Sequence, residues 1–159
     1  MDRMIERIQE NAVWRIEKYD AQGKLFEVSE FRGNLLLNEG INDIWNKVAG
    51  VAGTAFDESN AYLGVGDSNT AAAASQTGLQ AASNKLYKAM DGDYPTYGTS
   101  QQIVFRATFG SSDANWAWEE FTVANGDSDS DVNLNRKVQS QGTKEEGQTW
   151  VLTLTITLS

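Results

Sequence analysis

The sequence predicts a mainly β protein, an antiparallel β-sandwich or jelly-roll-like domain with one α-helix and a short N-terminal arm. Three observations carry this reading. Short runs of alternating apolar and polar residues recur at spacings of roughly 10 residues, the rhythm of a sandwich. Gly, Asp and Asn punctuate the chain between those runs, as turns require. A single stretch after the first hairpin repeats its apolar residues at three-to-four spacing. With 159 residues and 17.5 kDa, size scaling gives roughly 8,000 Å² of folded surface against about 25,000 Å² unfolded, enough to bury one ordinary core. The organisation expected is an arm over residues 1–11 followed by one β-rich domain over 12–159.

In the arm, Met1, Met4, Ile5 and Ile8 share one helical face, with Asp2, Arg3, Glu6, Arg7 and Gln9 around them. One stripe of four is too short to stand alone and needs a surface to lie against, so these residues are read as an assembly arm. Residues 14–19 and 24–31 read as two strands joined at Asp20-Ala21-Gln22-Gly23, a turn sequence. Leu35, Leu36, Ile41, Ile44, Trp45 and Val48 then place a helix near 39–49, with Asn38 as its cap and Gly50 and Gly53 beyond its end. That helix is expected to cover an end or a face of the domain.

From residue 61 onward the pattern is that of strands and turns. Residues 61–66 form a short strand, 67–80 a small-residue loop with room for one helical turn, and 85–90 another strand before the turn Asp91-Gly92-Asp93-Tyr94-Pro95. Ile103, Phe105, Ala107 and Phe109 alternate with polar or outward positions, as do Trp116 and Trp118 with Ala117 and Glu119, giving two longer strands. After an acidic loop at 125–131 come a short strand at 134–138, a charged turn at 142–147, and the closing run in which Trp150, Leu152, Leu154, Ile156 and Leu158 alternate with Val and Thr. That last face is the longest one-sided apolar face in the chain and is expected in the middle of the core. Trp116, Trp118, Trp150, Leu152, Leu154 and Ile156 are the core residues expected, since aromatics dominate the buried area of small β proteins.

Composition excludes several chemistries. The chain has no His and no Cys, so thiol nucleophiles, disulfides, imidazole bases and the usual zinc sites lack their side chains. A net charge of −9 opposes nucleic-acid binding, which draws its affinity from Lys and Arg. No apolar run approaches the roughly 20 residues of a membrane helix, and the first residues carry acids where a signal peptide is basic and then apolar. Synthesis in the cytoplasm is therefore expected.

The local motifs read as structural. Gly64-Val65-Gly66 follows a strand, but Asn69 stands at the third glycine of a dinucleotide fingerprint, so these glycines are expected to serve a sharp turn or the close approach of another backbone. No cofactor is expected. Asp127-Ser128-Asp129-Ser130-Asp131 begins like a calcium loop, but Val132 and Val138 replace the required Gly and Glu. It is read as a solvated acidic turn, with a surface calcium clamp as the alternative. Glu119 and Glu120 are adjacent in a strand and point apart, which rules them out as a facing acid and base. Asn115, Asn125, Asn133 and Asn135 read as turn and edge residues. An exposed cluster of Trp14, Trp45, Trp116, Trp118, Phe121 and Trp150 would instead make a sugar-stacking platform.

Taken together, Tyr62-Leu63-Gly64-Val65-Gly66-Asp67-Ser68-Asn69-Thr70, Met90-Asp91-Gly92-Asp93-Tyr94-Pro95, Phe105-Arg106-Ala107-Thr108-Phe109, Ala114-Asn115-Trp116-Ala117-Trp118-Glu119-Glu120, Leu134-Asn135-Arg136, Gly142-Thr143-Lys144 and the closing Thr-alternating strand resemble small virion structural proteins of tailed bacteriophages. Members of that group are described as head decoration (cement), tail-fibre or structural proteins, and the resemblance spans residues 34–159. It implies oligomeric assembly, often trimeric, and no chemistry. The function expected is that of a capsid decoration protein on the outer surface of the head, bound to the major capsid protein and to copies of itself as a homotrimer. A tail or fibre component and a carbohydrate-binding adhesin module are the alternatives. Arg32, Arg106, Arg136 and Lys137 are the basic residues expected to meet acids on the shell.

Overall fold

A computed structural model describes residues 7–159, which form two five-stranded antiparallel sheets and one helix. The strands are β1 (Glu10–Tyr19), β2 (Leu25–Arg32), β3 (Leu35–Leu36), β4 (Tyr62–Gly66), β5 (Lys85–Ala89), β6 (Thr96–Tyr97), β7 (Gln102–Phe109), β8 (Glu120–Ala124), β9 (Asn135–Val138) and β10 (Thr149–Leu158), with α1 (Asn38–Val48) between β3 and β4. One sheet runs β2-β1-β10-β7-β6, the other β3-β9-β8-β4-β5, and their inner faces pack as a β-sandwich.

The closing strand β10 is central in its sheet, as its one-sided apolar face requires. It pairs with β1 from Glu10↔Leu158 to Tyr19↔Thr149, and with β7 from Trp150↔Phe109 to Thr157↔Gln102. Trp14 and Ile16 from β1, Phe105 and Phe109 from β7, and Leu152 and Leu154 from β10 meet Leu63, Val65, Phe121 and Val123 from the other sheet in one core. Trp118 sits at an aromatic junction, edge-on to Phe109 and to Trp150 with both ring centroids 4.8 Å away, a geometry the ring quadrupoles favour.

Several expectations are corrected here. Residues 116–119 are not a regular strand. Ala114 takes a left-handed conformation (φ 52°), which lets the Trp118 indole Nε1 donate back to its carbonyl at 3.0 Å. The segment is tied instead by single contacts, Trp118 N–H to Gly142 O and Lys144 N–H to Trp116 O, and the strand begins only at Glu120. Trp116 is consequently half-buried against the core rather than inside it, whereas Trp118, Trp150, Leu152, Leu154 and Ile156 are buried. At the other end, Gln9 exchanges two backbone hydrogen bonds with Ser159 and β1 opens at Glu10, so the last residues assigned to the arm belong to the sheet. The 67–80 loop contains no helical turn.

Lys88 on β5 donates to the Asp113 carboxylate at 2.8 Å, tying one sheet to the turn that leaves the other. That ammonium, helped by the Gly110 N–H, holds the Asp113 carboxyl below its ordinary range. A lowered carboxyl favours the fold when charged, so its contribution is full above about pH 4 and is lost as the pH falls through the lowered value. Urea melts of Asp113→Asn between neutral pH and about pH 2 should therefore show a shallower acid loss of stability than the parent. Trp150→Ala should cost about 3–5 kcal/mol in the same melts, the usual range for a buried large aromatic. A loss under about 1 kcal/mol would contradict its place in the core.

Candidate docking surface

The helix does not bury its apolar stripe. Its first turn is clamped to the segment that leads into β9: Leu37 N–H donates to Leu134 O at 3.0 Å, and the Glu39 carboxylate accepts from Asn133 N–H at 3.0 Å. The acid at this end also complements the helix dipole. The N-cap position is Leu37, with no side-chain cap, so Asn38 does not play the part expected of it. The decisive residue is Gly40, the only buried position of α1, because a Cβ there would collide with the Leu134 backbone.

With the glycine face turned inward, Ile41, Ile44, Trp45 and Val48 lie along the outside, followed by exposed Val51. Trp45 is 61% exposed and Val48 70%. Large apolar side chains exposed along one helix in this way make the stripe a candidate docking surface. Beside it, α1 forms one wall of a groove of about 540 Å³. Leu36, Ile44 and Phe56 stand on the helix side, and Ile103, Ile156 and Leu158 on the side of the first sheet, so the groove opens directly onto one end of the core. Glu10 at the start of β1 completes the wall, and its burial pushes the carboxyl above the ordinary range. One of its oxygens, Oε1, is buried without a hydrogen-bond partner among the described residues.

Beneath the second sheet a different set of charged residues is fully spent on structure. Glu120 and Arg136, both with side chains sealed from solvent, pair at 2.7 Å. The Glu120 carboxylate also accepts from Gln80 N–H and Ala81 N–H, and Arg136 donates to Thr70 O and Gln76 Oε1. Gly66 is glycine because a Cβ would occupy the space of that carboxylate, and Gly64 because Thr122 and Tyr87 crowd it. What crowds these glycines is side chains and not the backbone expected there. Arg136 cannot reach a partner on another protein, and Arg106 is bound to Asp91 and stacked on Tyr94, so two of the four basic residues expected to dock are engaged internally. Arg32 is exposed and sits 3.6 Å from the Glu30 carboxylate, a loose surface pair, and Lys137 is half-buried.

The acidic loop is likewise internally bonded. Asp129 binds Lys85, the Tyr87 hydroxyl and Leu79 N–H, and Asp131 accepts from Ser128 N–H and Oγ. No set of three acidic side chains gathers among the described residues. Asn133 and Asn135, expected at turns and edges, are buried bridges: Asn133 Oδ1 accepts from Tyr87 and Thr122, and Asn135 Oδ1 from Val123 N–H. Glu119 and Glu120 do point apart, Glu119 meeting Ser140 at the surface. The aromatics form no platform, since Trp14, Trp118, Phe121 and Trp150 are interior and Trp45 stands apart on the helix. Of the assembly-arm residues, Met1, Met4 and Ile5 lie outside the described residues, and Ile8 is 79% exposed.

Sequence reasoning located the helix but not its orientation, and it missed the groove. The helix stripe and Gly40 were both legible, yet only the contact with Leu134 decides which face turns in. Comparison with family models, curated proteins and solved structures finds no match to this chain.

Arg136→Met should cost about 3–5 kcal/mol, because it strands the Glu120 carboxylate in the interior, and should raise proteolytic nicking in the 67–84 loop. Adding Glu120→Leu should recover part of that loss in urea melts, since the stranded charge is then gone. A single variant as stable as the parent would show that the pair is dispensable.

Proposed function

We propose that this protein is a structural protein of a tailed-bacteriophage virion, a capsid decoration (cement) protein that binds the outer surface of the assembled head. Its partners on this reading are the major capsid protein and copies of itself, as a homotrimer, and it performs no catalysis. The observation that carries the reading is the outward apolar stripe of α1, a face that nothing in the described chain covers. The resemblance of residues 34–159 to virion structural proteins supports the same conclusion. The net charge of −9 fits a protein that coats a shell without competing for the packaged genome. No helix of the described residues is long and apolar enough to cross a membrane.

A protein that binds only the assembled lattice stabilises it by mass action, and many weakly contributing copies act together. The test is to compare particles carrying the parent protein with particles carrying Trp45→Glu/Val48→Glu. Both positions are exposed, so the isolated variant should melt within about 0.5 kcal/mol of the parent. Its occupancy on particles should fall, and DNA release on heating should move to the temperature of undecorated heads. Unchanged occupancy would remove the helix stripe from the docking site. A copy number far below that of the major capsid protein on gels of purified virions would place the protein in the tail.

A further inference from the structure

The first sheet ends in an open edge. β2 lies outermost, beyond β1, and the direction of its backbone groups follows from the ladder. Gln9 exchanges both bonds with Ser159, so odd residues of β1 turn their N–H and C=O toward β10 and even residues turn theirs toward β2. Gly33 N–H accordingly donates to Ala12 O, and the register carries the pattern on through Trp14 with Phe31 and Ile16 with Ser29. Val28, Glu30 and Arg32 therefore aim their backbone N–H and C=O away from the sheet, where no strand of the described residues meets them. The other edges are blunted: β3 and β6 have two residues each, and β5 carries Lys85 and Lys88. β2 runs for eight residues without proline and leaves Leu25, Phe26 and Val28 exposed, which makes it a template for another extended chain.

We propose that β2 pairs antiparallel with β2 of a second copy about a two-fold axis at Ser29, joining two five-stranded sheets into one continuous sheet. The strand is self-complementary in this register. Two copies keep their inner faces on the same side of a shared sheet only when the axis passes through a residue, because side chains opposite one another point the same way. An axis at Val28 sets Lys24 against the second copy's Arg32, and an axis at Glu30 sets that carboxylate against itself. At Ser29 the pairing spans the whole strand and opposes no like charges. Val28 then lies against the second copy's Glu30, and exposed Phe26 against the second copy's Arg32, a ring and a guanidinium that attract. Each Glu30 keeps Arg32 of its own strand at 3.6 Å. The pairing uses neither the α1 stripe nor the groove, and it stands whether or not the chain belongs to a virion. Within the homotrimer proposed above it would link one trimer to the next.

The test begins with the native full-length chain at about 0.15 M salt, where the repulsion between two charges of −9 is screened over about 8 Å. Sedimentation should show the mass doubling between about 10 μM and about 1 mM. Over the same range hydrogen exchange should slow at the amides of Val28, Glu30 and Arg32, while those of Ser29 and Phe31, already bonded to β1, should not change. The chain has no cysteine, so the register can be read by disulfide formation. Ser29 falls in a pair without mutual hydrogen bonds, about 4.5 Å between Cα atoms, close enough for a disulfide. Ser29→Cys should therefore link two copies about tenfold faster than Glu30→Cys, whose sulfurs lie diagonally across the axis. Val28→Pro removes an outward donor and no bond to β1, so it should abolish the doubling with an unchanged far-UV circular dichroism spectrum. A mass constant to about 1 mM, or exchange at the three amides that ignores concentration, would overturn the proposal with no variant involved. So would a Ser29→Cys rate no faster than that of Glu30→Cys, or doubling that survives in folded Val28→Pro.

Discussion

The second sheet and the long loop beside it depend on one charge pair held away from water. Glu120 and Arg136 are fully buried, and burial of either charge alone would be prohibitive. The pair is tolerated because its remaining hydrogen-bonding capacity is taken up: two loop amides on the carboxylate, and a carbonyl and an amide oxygen on the guanidinium. Those same contacts fix a stretch of chain rich in Ala and Ser that has little apolar surface with which to fold itself. The ion pair thus organises a loop and joins β8 to β9, and Gly66 exists to give it room.

The path of β9 has consequences for the helix. The chain approaching β9 carries Leu134, whose carbonyl receives Leu37 N–H and whose backbone meets Gly40. A helix hung by its first turn from a backbone contact cannot also roll its apolar stripe onto the sheet. Ile41, Ile44, Trp45 and Val48 are left outward, and the gap between helix and first sheet becomes the groove. Exposing such residues opposes solubility, and the acidic balance of the chain offsets that by keeping copies apart.

The polar interior shows why some residue roles resisted sequence reading. Asn133 looks like a turn residue by type, yet it receives Tyr87 and Thr122 because β5 and β8 both present a hydroxyl to it. Lys144, in a run that reads as a charged turn, is buried with its ammonium on Gly110 O and Asn115 Oδ1, and burial lowers its affinity for a proton. Side-chain type gives the donors and acceptors a residue owns, but only assembled neighbours determine whether they are spent inside or offered outside.

The sequence by itself determined the fold class, most strand positions, the helix and the central place of β10, because period-two and period-3.6 patterns are local and each strand must bury one face. It misplaced Trp116 and the strand around it because alternation over four residues cannot reveal a backbone that bends at Ala114. Tertiary structure alone decided that Arg136 turns inward, that the stripe of α1 turns outward, and that a groove opens beside it. Each of these rests on residues far apart in the chain, Arg136 on Glu120 and Thr70, Gly40 on Leu134, Glu10 on Leu158, and no periodicity encodes which distant surface a given face will meet.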